Sequence, residues 1–259
     1  MNSSKQVAQW RVAAASVCGT SHTKSNQLCQ DAYYWHILPN NVLLIAVADG
    51  AGCANLGKAG AVIATQTAIE YISQRKDIAT IIADNTLLRE MLHNAIINAK
   101  TALEKEAEVS KYELSDLATT LIIVLATPKL AAVAQIGDGL AVTRDSTGKL
   151  QALTTPHRGE YVNETIFLTS SEAVTTTQIQ ILRHNIVNIG VLTDGLQMLA
   201  LNMLVQQPHQ PFFLPLFDFV TKIEDYKLAQ EQLTSFLSSR KIIERTDDDL
   251  TLILAAFSS

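Results

Sequence analysis

The sequence predicts an α+β fold in which helices are layered on antiparallel sheet. Three observations carry the prediction: short apolar runs rich in β-branched residues, two long segments with apolar residues at helical spacing, and connections too short for parallel crossovers. Strand-like runs are Arg11 to Val17, Val42 to Ala48, Thr120 to Ala126, Leu130 to Ile136, Leu140 to Arg144, Ile186 to Leu192 and Leu250 to Phe257. A Pro-containing turn over residues 127–129 joins two of them, and Asp145-Ser146-Thr147-Gly148 is a tight turn into a further short strand. Helices are expected over Leu56 to Arg75 and over Thr86 to about Glu108. In the second, Leu88, Met91, Leu92, Ala95, Ile96, Ala99 and Leu103 recur at helical spacing and Asn85 offers an N-cap. Two more are expected over Leu196 to Val205 and Tyr226 to Ser239, separated by an apolar loop holding Pro208, Pro211 and Pro215. Nothing resembles a domain boundary, a repeat or a low-complexity tract, so residues 1–259 read as one domain.

An apolar share of 47% over 259 residues is ample for a substantial core without staples. The formal charge of −5, from 20 basic and 25 acidic residues, leaves no basic face for nucleic acid. Cys18, Cys29 and Cys53 are odd in number and lack a CxxC pair, which argues against a disulfide framework and a structural zinc site. The opening residues carry no signal-like apolar run, and nothing approaches the roughly 18 apolar residues of a membrane span. A cytoplasmic location and no membrane association are the resulting expectations.

Asp49 directly follows the run Val42 to Ala48, and Asp194 follows Ile186 to Thr193; a glycine succeeds each. Asp247, Asp248 and Asp249 instead precede the run Leu250 to Phe257. If that last strand lies antiparallel to the other two, these acids reach one sheet edge. Carboxylates gathered at a low-dielectric edge repel one another, and a divalent cation resolves the conflict. Oxygen ligands without a supporting Cys/His pattern point to Mg²⁺ or Mn²⁺. The glycines allow close backbone approach, so the Gly50 carbonyl is a further candidate ligand. Asp-Gly after a strand is also an ordinary turn, and the flanking residues decide between the two readings.

Read in order, those residues form a set: Gly19-Thr20-Ser21-His22, Gln30-Asp31-Ala32, Val47-Ala48-Asp49-Gly50-Ala51-Gly52, Leu117-Ala118-Thr119-Thr120-Leu121, Ile136-Gly137-Asp138-Gly139, Thr193-Asp194-Gly195 and Asp248-Asp249-Leu250-Thr251-Leu252-Ile253-Leu254. The series, spanning Gly19 to Leu254, resembles the metal-dependent protein phosphatases of the PPM (protein phosphatase 2C) family in its compact bacterial form. The resemblance implies a four-layer α-β-β-α sandwich of two antiparallel sheets flanked by helices, with metals in a cleft at one end. It makes Asp49, Asp194 and Asp248 the catalytic core: Asp49 bridges two Mn²⁺ or Mg²⁺ ions, Asp194 and Asp248 complete the first site, and the Gly50 carbonyl joins the second. Asp31 supports the second ion, Asp138 matches the acid that holds a third metal in some bacterial relatives, and Gln30 and Asp249 lie behind the ligands. The implied reaction is hydrolysis of phosphoserine or phosphothreonine by a water shared between the two ions. The implied partner is a phosphorylated protein, a serine/threonine kinase or its targets, and the expected state is a monomer.

The chain departs from the family pattern at several positions. Gln30 stands where a glutamate is usual. His22, with Lys24 nearby, stands where an arginine holds the substrate phosphate. Ala51 occupies the position of a histidine that protonates the leaving alcohol in eukaryotic members, and a bound water or His157 is the candidate replacement. The polar stretch of residues 157–165 reads as a loop near the cleft or as a solvated connection. Thr119 and Thr120 are expected to pack or hydrogen-bond beneath the metals, and Cys29 and Cys53 to act as small fillers. These departures leave two other readings: a non-enzymatic, phosphatase-like regulator that binds phosphoproteins, and a phosphatase of small phosphorylated metabolites with a pocket shaped by residues 208–215.

Overall fold

The computed structural model describes residues 9–155, 165–202 and 204–258. In chain order the strands are β1 (Gln9–Val17), β2 (Ala32–Leu38), β3 (Val42–Ala48), β4 (Leu121–Thr127), β5 (Leu130–Ile136), β6 (Leu140–Asp145), β7 (Leu150–Ala152), β8 (Gln178–Leu182), β9 (Ile186–Leu192), β10 (Leu201–Asn202), β11 (Gln207–Pro208) and β12 (Leu250–Ser258). The helices are α1 (Thr20–Lys24), α2 (Gly57–Ser73), α3 (Ile78–Ala83), α4 (Asn85–Ser110), α5 (Gln197–Ala200), α6 (Gln210–Thr221), α7 (Tyr226–Leu237) and α8 (Arg240–Ile243).

Alternation along buried strands sets the layers. In β3, Leu43, Ile45 and Val47 face one core while Val42, Leu44, Ala46 and Ala48 face another. In β12, Ile253 and Ala255 share the first of these cores, whereas Leu252, Leu254 and Ala256 face a third. Strands buried on both faces read as continuous apolar runs, because a period of two places both sets inside. One sheet has the order β1-β12-β9-β6-β7 and the other β2-β3-β4-β5-β8, with every pairing antiparallel. The two stack through the shared core, α2 and α4 cover the outer face of the second sheet, and α6 and α7 cover that of the first. This is the expected four-layer α-β-β-α sandwich.

Several local expectations change. The cap of α4 is Asp84, whose Oδ1 accepts from the Thr86 amide at 2.7 Å, so Asn85 is already helical. The helix expected over Leu196 to Val205 is a single turn, Gln197–Ala200, followed by the β10–β11 hairpin, where Asn202 Oδ1 accepts from the Leu204 amide at 3.1 Å. The loop expected around Pro208, Pro211 and Pro215 contains α6, with Pro211 in the first turn and Pro215 inside the helix. Burial of Phe213, Leu216, Phe217 and Val220 at helical spacing outweighs the one backbone bond lost to Pro215. The aromatic strand β2, the strand β8 and the short helices α1, α3 and α8 are additions to the expected elements.

Candidate metal centre

The acids meet because of register. β9 and β12 pair with Leu192 opposite Leu252, and the Thr193 amide continues the ladder to the Thr251 carbonyl at 3.2 Å, so Asp194 leaves its strand where Asp248 and Asp249 enter theirs. Leu140 of β6 also pairs with Leu192, which brings Asp138, on the crossing from β5 to β6, beside Asp194. Asp49 belongs to the other sheet. Its amide donates to Thr120 Oγ1 at 2.9 Å, and its carbonyl accepts from Thr119 Oγ1 at 2.9 Å and from the Thr120 amide at 2.8 Å. The two threonines therefore fix the Asp49 backbone from beneath. The acids do not share one sheet edge, as the sequence alone suggested, because β3 lies in a different sheet from β9 and β12; they close one end of the sandwich across both sheets.

Glycine permits this crowding. A Cβ on Gly195 would lie 2.1 Å from the Asp249 carbonyl oxygen, and one on Gly50 would lie 2.3 Å from the Gly57 carbonyl carbon. Close backbone approach, rather than a sharp turn, is what these two positions require.

Asp31 is wholly buried; Thr193 Oγ1 donates to its Oδ2 at 2.8 Å, and its Oδ1 receives no donor. Asp194 Oδ1 is likewise buried without a donor. The Asp49 carboxyl lies close enough to those of Asp31 and Asp194 for the charges to repel. Burial, and then the charges of Asp31, Asp194 and Asp248, hold Asp49 well above the ordinary carboxylate range. Asp31 is pushed up to about 7, chiefly by burial, and Asp194 to about 7 by burial and then by Asp138 and Asp248. Asp248 is raised by burial as well, against a 2.8 Å bond from the Asp249 amide to its Oδ1. Among the described residues no group of three or more His, Cys, Asp or Glu side chains stands close enough together to hold a metal ion as it is. The arrangement is nevertheless one that hard divalent cations fit: unpaired buried carboxylate oxygens whose repulsion is relieved only by protons or by positive charge.

Asp249 is built differently. Its Oδ1 accepts from the Gly19 amide at 2.6 Å and its Oδ2 from the Gln30 amide at 2.6 Å. His22 Nδ1 lies 2.9 Å from the same Oδ2, within ion-pair distance but off the line of a hydrogen bond. Asp249 thus binds the segment of His22, that of Gln30 and its own strand into one knot. The Gln30 side chain faces two carbonyls, which fixes its nitrogen toward them; it donates to Gly50 at 2.9 Å and Ala51 at 2.8 Å. Lys24 is exposed at the end of α1, without an ion pair among the described residues.

Contributions from Thr193, Thr251, Thr165 and Lys58 were not read from the sequence. The Thr251 amide donates to Thr193 Oγ1 at 3.0 Å, Thr165 Oγ1 donates to Asp138 Oδ2 at 2.8 Å, and Lys58 Nζ donates to the Asp31 carbonyl. Thr193 directly precedes Asp194 and Thr251 follows Asp249 by two positions, so both lie within the acid motifs. His157 lies outside the described residues. The Cys29 thiol is pushed up to about 12 by burial and by the charge of Asp31, consistent with a filler, whereas Cys53 is exposed.

A family model described as protein phosphatase 2C matches residues 18–238. Serine/threonine-protein phosphatase 3 of Escherichia coli (strain K12) is 37% identical over 255 residues, spanning 96% of this chain and 99% of that protein. Among solved structures, a bacterial serine phosphatase aligns with a TM-score of 0.66 at 16% identity, over 96% of this chain and 98% of that one. The catalytic domain of the serine threonine protein phosphatase PstP, in complex with two manganese ions, aligns with a TM-score of 0.63 at 17% identity, over 96% and 99%. With that identity running almost end to end, and the acids of the shared pattern gathered at one end of a four-layer sandwich, the chain belongs to the protein phosphatase 2C family.

Proposed function

We propose that the protein is a metal-dependent phosphatase of phosphoserine and phosphothreonine in proteins. The observation that carries this reading is the meeting of Asp31, Asp49, Asp194 and Asp248, with carboxylate oxygens left unpaired where the two sheets end. Asp49, Asp194 and Asp248 would hold one Mn²⁺ or Mg²⁺, and Asp49 with the Gly50 carbonyl a second, supported by Asp31; Asp138, beside Asp194, is the candidate for a third. When bound, such cations neutralise phosphoryl oxygens and acidify water. The chain's own residues set the stage for that chemistry. Thr119 and Thr120 fix the Asp49 backbone, and Thr193 orients Asp31. His22 Nδ1 lies 2.9 Å from Asp249 Oδ2, and its Nε2 would lie 4.0 Å from a Cβ placed on Gly52 of the adjoining loop. An imidazole placed in this way can donate an N–H to a phosphate oxygen, the part played by arginine in the family pattern.

The same reading takes residues 1–259 as one domain, active as a monomer in the cytoplasm on a serine/threonine kinase or its targets. The three free cysteines suit a reducing compartment, and among the described residues no helix is long and apolar enough to cross a membrane. A second reading, a phosphatase-like regulator that binds phosphoproteins without turnover, draws on Gln30, whose amide engages the carbonyl expected to join the second metal. One assay separates them: Mn²⁺-dependent phosphate release from phosphoserine and phosphothreonine peptides and from sugar phosphates. Peptide turnover supports the enzyme, metal binding without turnover supports the regulator, and preference for a sugar phosphate by orders of magnitude in kcat/KM transfers the activity to metabolites.

A further inference from the structure

Helix α6 is apolar on two sides. Phe213, Leu216, Phe217 and Val220 bury against the sheet, while Phe212, Pro215 and Phe219 form a second stripe along the helix. That stripe, with Leu233 and Phe236 of α7, lines a cavity of about 690 Å³, within the range of small-molecule sites.

Lys241 and Arg245 also line it, together with the polar His209 and Gln232. Lys241 and Arg245 are both exposed, and neither side chain has an ion pair or hydrogen bond among the described residues. Arg240, on the same helical turn and not part of the lining, is paired with Glu244 at 2.6 Å. Around this turn, the cations without a partner are therefore the two that line the cavity, in a chain whose formal charge is −5. A crevice of about 420 Å³ beside Trp35 and Tyr226 lacks this property, because its Arg11 donates to the Thr221 carbonyl.

We propose that this cavity is a binding site for an amphiphilic carboxylate, with the tail among Phe212, Phe219 and Phe236 and the head at Lys241 and Arg245. Phenyl rings offer apolar area to an aliphatic or aromatic body, and a guanidinium matches a carboxylate in a two-pronged contact. An apolar wall alone would accept any greasy molecule; two unpaired cations select an anion.

The test is isothermal titration of the full chain with octanoate, decanoate and dodecanoate below their micelle concentrations, and with decanol. The proposal expects saturable binding of one equivalent, tightening about tenfold for each added pair of methylenes. Decanol is expected to bind at least tenfold more weakly than decanoate, and Lys241→Glu with Arg245→Glu to weaken decanoate at least tenfold while the circular dichroism spectrum is unchanged. No binding of decanoate, equal binding of decanol, or affinity untouched by the charge reversal would overturn it. So would binding of an acidic apolar peptide in place of decanoate, which would assign the surface to a protein partner. No arm measures phosphate release, so the result stands apart from the catalytic assignment.

Discussion

The Thr193 hydroxyl donates to Asp31 Oδ2 at 2.8 Å and ties the exit of β9 in one sheet to the entry of β2 in the other. The same oxygen accepts from the Thr251 amide at 3.0 Å, so one side chain serves a carboxylate of one sheet and the neighbouring strand of its own.

Thr193→Val keeps the shape and removes both bonds, leaving a buried amide and a buried carboxylate oxygen short of a partner. The expected loss is about 1–3 kcal/mol of stability in urea denaturation. A loss under about 0.5 kcal/mol would show that the two sheets are not coupled through this hydroxyl.

The carboxyl cluster makes the metal-free protein sensitive to alkali. Asp31 and Asp194 lose their protons near pH 7 when folded, and unfolded aspartates do so near pH 4. Between those values the folded form binds more protons, so its stability falls as pH rises through the window. Chelator-treated protein should melt lower at pH 8 than at pH 5.5, and excess Mn²⁺ should remove the difference. Metal-free stability that is flat or rising over this interval contradicts the cluster.

Gln30 can donate to the Gly50 and Ala51 carbonyls, and a carboxylate cannot. Gln30→Glu places a negative oxygen against two carbonyl oxygens, so the metal-free variant should lose about 1–3 kcal/mol in denaturant titration. Wild-type stability in the variant would mean that the amide does not hold this loop.

His22→Ala is expected to lower kcat/KM on phosphopeptides about ten- to hundredfold, the worth of one charge-assisted bond to phosphate, with Mn²⁺ affinity unchanged. Loss of Mn²⁺ affinity equal to the loss of activity would instead make His22 a structural support of Asp249.

Much of the fold was legible because strands buried on both faces announce themselves as apolar runs, and α4 shows its buried stripe at positions 88, 91, 92, 95, 96, 99 and 103. Besides short elements such as β8, α1, α3 and α8, the strand β2 and the helix α6 went unread, for opposite reasons. Strand β2 is an edge strand with Tyr34 exposed and its neighbours only half-buried, so it lacks a continuous apolar run. Helix α6 contains prolines that argue locally against a helix, and only burial of its phenylalanines against the sheet outweighs them. At the site, the aspartates were readable from their strand ends, but which sheet each strand joins is a long-range property that no local pattern encodes. The knot at Asp249 was hidden for the same reason, since His22 and Gln30 reach it only through folding.

Manganese titration followed by the electron paramagnetic resonance signal of free Mn²⁺ addresses the metal centre most directly. Wild-type protein should remove at least two equivalents from solution, and Asp49→Asn, folded by circular dichroism, should forfeit both. Wild-type protein that leaves the free-ion signal untouched, or a variant that binds as the wild type does, would contradict the assignment of these aspartates as ligands.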